Sequence, residues 1–209
     1  LTMLGCMVLG VVTLTGIEAY RFLGIREHQQ QLRTDQRHLE LVQSLRSDLA
    51  AARLAMSRLA GEGDEGVAGA LAAEADRRLL RARGLLILMH QGGDLRVKGD
   101  PDGAPVSLPR PMPPEFLTTA SPLVHMVQGI LDTSTKLTAG AGRSKTDDPA
   151  AAARVEGLFI QAEAAVQTLI QAINQCISRH IDEHQVRANH VLVVRVAFGA
   201  LLLSALAGL

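Results

Sequence analysis

Two apolar stretches, one at each end of the chain, limit what it can fold into more than any other feature. Residues 1–17, LTMLGCMVLGVVTLTGI, carry no charge and are followed at once by Glu18, Tyr20 and Arg21, the aromatic and charged edge found where a helix leaves a bilayer. Residues 191–209, VLVVRVAFGALLLSALAGL, are equally apolar apart from Arg195, which stands close enough to the start of the segment to extend its charge to an interface. Both are expected to be transmembrane helices, cut short by the bounds of the sequence. A secretory signal peptide is the rival reading of the first, but no basic segment precedes its apolar run. The expectation is a membrane hairpin whose residues 18–190 form a water-exposed module, with both ends returning to the same side of one membrane.

Aromatic residues make up only 2% of the 209 positions while 47% are hydrophobic, so the core must be built from Leu, Ala and Val, which favours helices. The 21 basic and 21 acidic residues balance, which argues against the concentrated positive surface that nucleic acid requires. Cys6 lies in the first apolar segment and Cys176 is alone in the interval, so no intrachain disulfide staples the module. The interval is too long for the positive-inside rule to orient the hairpin.

Apolar periodicity places four helices in the interval. From Glu18 to Ala60 there is no proline, and Leu39, Val42, Leu45, Leu49, Ala52, Met56 and Leu59 recur mostly three and four apart, giving a long helix one apolar side. The GEGDEG stretch at 61–66 ends it. A second helix runs through Val67, Leu71, Ala75, Leu79, Leu86 and Met89 to Gly92-Gly93, with Arg77, Arg78, Arg81 and Arg83 expected on a solvated face. Residues 93–114 hold most of the prolines and read as an irregular connection, in which GDPDG is a turn rather than a calcium loop. A third helix starts near Pro113–Glu115 and carries Phe116, Ala120, Leu123, Val127, Ile130, Leu131 and Leu137. Asp148 before Pro149 then gives an N-cap with proline at the first helical position. In the fourth helix Val155, Phe159, Ala162, Val166, Leu169, Ile173, Cys176 and His180 alternate four and three apart, a heptad seam that continues unbroken into the second apolar segment. The fold expected is all-α, an antiparallel four-helix bundle flanked by two transmembrane helices (1–17, 18–190 and 191–209).

The candidate binding residues lie on the first helix, in AARLAMSRLAG (51–61). At about 100° per residue, Arg53 projects roughly 70° from the core stripe, with Arg46, Ala50 and Ser57 on the same flank, whereas Arg58 points away from the bundle. Small residues allow a second helix to approach, so this flank is a candidate homodimer surface on which Arg46 and Arg53 would face their symmetry mates. Like charges at such an axis repel unless an anion sits between them, and guanidinium groups suit an oxyanion. A small anionic ligand would supply that charge. In the plainer reading, Arg46 pairs with Asp48 or the Glu40 side and Arg53 reaches water.

The stretches RLAMSR (53–58), LLILMHQGGDLRV (85–97), VSLPRPMPPEF (106–116) and PLVHMVQGIL (122–131) follow a known layout. Over most of 18–190 the chain resembles the sensor domain at the N-terminus of type IV pilus methyl-accepting chemotaxis transducers and of nitrate/nitrite sensor histidine kinases. The resemblance implies a periplasmic bundle held in the bacterial inner membrane. It also implies that Arg53 matches the signature arginine reaching an anion at the dimer axis, and that Arg58 matches the second. The chain departs from the pattern in having Ala in place of the glycine before the signature, serine displaced to Ser57 beside Arg58, and Met126 and Val127 where a tryptophan is common. Fold and role are therefore implied more strongly than ligand identity.

His180 and His184 stand four apart in HIDEH with Glu183 between them, and His28 lies at a similar distance from the opposite apolar segment. Metal or proton sensing through His28, His180 and His184 is a weak candidate, and the expectation is no metal and no cofactor, with polar residues simply occupying a loosening seam. HIDEH also matches an inverted zinc-protease pattern, but a catalytic zinc needs a third protein ligand and a substrate cleft, and a narrow bundle offers little cleft. No P-loop, dinucleotide fingerprint or nucleophile constellation is present, so no enzyme is expected in these residues. The chain reads as the ligand-sensing module of a transmembrane signalling receptor, with a membrane-anchored scaffold hairpin as the alternative.

Overall fold

The computed structural model describes residues 2–61, 64–95, 106–108, 110–140 and 149–207. Within these, most side chains of 2–23 and 201–207, together with those of 136–140, His28 and His184, fall outside the described set. The elements are α1 (Thr2–Gly61), α2 (Glu65–Gln91), β1 (Gly93–Leu95), β2 (Val106–Leu108), α3 (Pro114–Gly140) and α4 (Pro149–Ala207). The described residues are thus predominantly helical, as the composition favours.

Local chemistry sets the breaks between the helices. The Asp64 carboxylate caps α2 by accepting from the Gly66 and Val67 amides at 2.8 and 3.3 Å, satisfying donors that the first turn leaves without partners. Gly92 ends α2 with φ +68 and donates to Leu88 O at 2.7 Å, a closure that needs the left-handed backbone open to glycine. The connection expected to be irregular contains a short antiparallel ribbon instead, with Gly93 opposite Leu108 and Leu95 opposite Val106. Three-residue strands give no periodic signal to read. The ribbon serves the core, since Leu108 and Met112 are buried and the Met112 amide donates to Met89 O at 2.8 Å. The GDPDG turn lies outside the described residues, as does Asp148; α4 starts at Pro149.

The chain divides into two compact units, residues 37–174 and residues 1–36 with 175–209. In the first unit, segments of all four helices enclose one apolar core. Val42, Leu45, Leu49 and Ala52 come from α1, Ala75, Leu79, Leu85, Leu86 and Met89 from α2, Phe116, Leu123, Val127 and Ile130 from α3, and Val155, Phe159, Val166, Leu169 and Ile173 from α4. The α4 seam is buried as its heptads predict as far as Ile173. On α1, Leu39, Met56 and Leu59 are only half-buried, and Val67 on α2 is exposed, because the stripe runs off the core at both ends. Side-chain contacts link the helices. Arg78 on α2 meets Asp48 on α1, Ser134 on α3 donates to Asp76 on α2 at 3.0 Å, and Arg53 on α1 meets Glu163 on α4.

In the second unit the ends of α1 and α4 are joined by His180 and Asp35. Among the described residues no helix is long and apolar enough to cross a membrane. Much of the two segments expected to span falls outside the described side chains. Leu192, Val193, Val194 and Val196 are described and exposed.

Candidate functional site

The sequence singled out Arg46, Arg53, Ser57 and Arg58, and the structure does not bring them together as a site. Arg46, Ser57 and Arg58 are exposed on α1, whereas Arg53 turns toward α4. Its Nη1 donates to Glu163 Oε2 at 2.8 Å, its Nε to Glu156 Oε2 at 3.3 Å, and its Nη2 pairs with Glu156 Oε1. The hydrogen bonds Arg53 donates to Glu156 and then to Glu163 raise its pKa against the opposing effect of desolvation. This corrects the expectation in one respect. The charge that an anion was to supply is already supplied by two carboxylates of the same chain, so Arg53 neither lacks a partner nor simply reaches water. Glu156 and Glu163 are seven apart on α4 and flank its seam, a position from which two turns of one helix can hold one guanidinium.

The arginine-rich side of α2 is likewise more than a solvated face. Asp48, with 3% of its side chain exposed, accepts Arg78 Nη1 at 3.1 Å and has Arg81 Nε at 3.4 Å. Arg78 Nε also donates to Glu74 at 2.7 Å, and Arg77 meets the second oxygen of Glu74 at 3.2 Å. The bonds Arg78 donates to Glu74, then to Asp48, raise its pKa against its partial burial, so Arg78 stays charged. Only Arg77 and Arg83 match the solvated reading in being exposed. Asp48 therefore pairs across the α1/α2 interface rather than with Arg46 on its own helix.

Of the three histidines considered, the side chains of His28 and His184 lie outside the described residues, and Glu183 pairs with Arg187 one turn along the same helix. His180 Nδ1 stands 2.9 Å from Asp35 Oδ2 and 4.0 Å from Cys176 Sγ. The carboxylate, thiol and imidazole each offer an atom within 4.8 Å of the others. This is the donor set, among the described residues, that could hold a metal ion. Asp35 was missed from sequence, although a signal existed. The α1 stripe continues backward from Val42 through His38 to Asp35 at spacings of four and three, and both are buried, so a polar pair at seam positions was there to be read.

No protein-family model matches the chain, and no curated protein and no solved structure matches it.

Proposed function

We propose that the chain is the sensing module of a bacterial transmembrane signalling receptor, a homodimer through its first helix, with residues 18–190 in the periplasm and 1–17 and 191–209 as inner-membrane helices. The observation that carries this reading is the continuity of α4. One helix runs without a break from Val155 in the apolar core to Leu192, Val193, Val194 and Val196, whose exposed side chains are unsuited to water. The apolar character of both termini, the helical composition and the resemblance carried by the 53–58 and 85–131 stretches support it further. A signal generated in the bundle would pass along α4 toward residues 191–209.

Arg53 ties α1 to α4 through Glu156 and Glu163. An oxyanion would compete with these carboxylates for the guanidinium, and binding would release or shift the tie. A ligand biases only states it distinguishes, and the competed ion pair supplies such a difference. Two experiments test the reading. Reporter fusions in the α1–α2 and α3–α4 connections are expected to be active only in the periplasm, and cytosolic activity at either overturns the topology. Thermal shifts with nitrate, nitrite and phosphate are expected for the wild type and not for Arg53→Ala, and an equal shift in both removes Arg53 from the site.

A further inference from the structure

We infer that Asp35, Cys176 and His180 form a binding site for a zinc-class divalent cation that joins α1 to α4. The inference rests on the side-chain geometry alone and is independent of the receptor reading. Two donors come from α4, one helical turn apart on its seam, and the third comes from the buried seam of α1. The His180 imidazole presents Nδ1 toward both partners at 2.9 and 4.0 Å.

Those spacings suit a tetrahedral ion. Zinc bonds of about 2.1 Å to nitrogen or oxygen and 2.3 Å to sulfur place neighbouring donors about 3.4 Å apart for N and O and about 3.6 Å for N and S. Opening the Asp35–His180 contact and closing the Cys176–His180 contact by about half an ångström each, with the Asp35 oxygen and Cys176 sulfur drawn in from within 4.8 Å to about 3.6 Å, reaches these values. Such shifts are within side-chain rotation. A thiol, an imidazole and one carboxylate select zinc or its neighbours over calcium and magnesium, which take oxygen donors only. With 29% of the His180 side chain and 11% of the Asp35 side chain exposed, the cluster is open to entry and leaves a fourth position for water. Binding displaces the Cys176 thiol proton to solvent and requires the His180 tautomer protonated at Nε2, so at least one proton is released per ion.

The test is titration of the full chain, kept reduced, with cobalt(II) followed by zinc(II). One equivalent of cobalt is expected to produce the thiolate-to-cobalt charge-transfer band and the visible bands of a tetrahedral site, and zinc is expected to displace it. Cys176→Ser is expected to abolish the charge-transfer band and weaken zinc binding by at least about tenfold, while Cys6→Ser leaves both intact. Asp35→Asn and His180→Gln, checked for helicity by circular dichroism, are expected to weaken zinc to a similar degree. Absence of the charge-transfer band in the wild type, its survival in Cys176→Ser, or unchanged zinc affinity in both Asp35→Asn and His180→Gln overturns the assignment.

Discussion

Arg78 Nη1 donates to Asp48 Oδ1 at 3.1 Å, joining a carboxylate that is 3% exposed to a guanidinium that is 36% exposed. The asymmetry decides the energetics. Asp48 has lost its water and depends on arginine, whereas Arg78 keeps both solvent and Glu74. Asp48→Ala leaves a void and removes a charge-assisted bond, and is expected to cost about 2 kcal/mol. Asp48→Leu fills the space while Arg78 and Arg81 turn to water, and is expected to recover most of that loss. Urea denaturation of the two variants checks the order. Because the Arg78 pKa is raised, the pair's contribution through the arginine is complete below the ordinary arginine pKa and is lost only as pH rises beyond it. No arginine-linked change in stability is therefore expected across the neutral range.

The link from Arg53 to α4 is geometrically bidentate but wet, with a third or more of Arg53 and Glu163 exposed and nearly half of Glu156. Its worth is correspondingly small. A double-mutant cycle of Arg53→Ala with Glu163→Ala is expected to give a coupling below about 1 kcal/mol, decreasing as salt is added. A larger, salt-insensitive coupling would mark the pair as structural rather than exchangeable.

Phe159 and Ile160 are neighbours in sequence and opposites in environment, 1% and 52% exposed. Phe159→Ala removes the largest side chain of the α4 seam and is expected to cost about 3–5 kcal/mol. Ile160→Ala is expected to stay within about 0.5 kcal/mol of the wild type. Denaturant midpoints for the pair test which face of α4 meets the core.

Gly92 combines φ +68 with Pro111 N, Leu108 O and Arg110 C at 3.1–3.3 Å from where a Cβ would stand. Gly92→Ala is therefore strained in the backbone and crowded by atoms that cannot swing aside, and is expected to cost about 1–3 kcal/mol. Gly93 shares the positive φ, at +104, but has open space around it. Gly93→Ala should show the conformational cost alone, and the difference between the two melting temperatures isolates the crowding.

The helices were legible because their signals are long. The α4 seam from Val155 to Ile173, the break at GEGDEG and the stop at Gly92 each stand in the structure where the periodicity and the turn residues put them. The ribbon of 93–95 and 106–108 was not legible, since three residues cannot display an alternation. What failed more instructively was the assignment of charge. An angular position on one helix shows that Arg53 flanks a core stripe but not which neighbour occupies that flank, so Glu156 and Glu163, 103 and 110 residues away, were invisible as partners. The same holds for Arg78 and Asp48. His180 was noticed because histidine is conspicuous, and Asp35 was not, because a lone aspartate in a charged helix resembles any solvent-facing residue until the α1 stripe is traced backward through His38.

The unbroken ladder of α4 makes angular phase a shared property of its whole length. A single residue inserted between Ile173 and Cys176 would turn every later side chain by about 100°. Cys176 and His180 would leave the seam together, while Val155 through Ile173 stayed in place. Adding a full heptad there would restore the facing of Cys176 and His180 but carry them about 10 Å along the axis, away from Asp35 on α1.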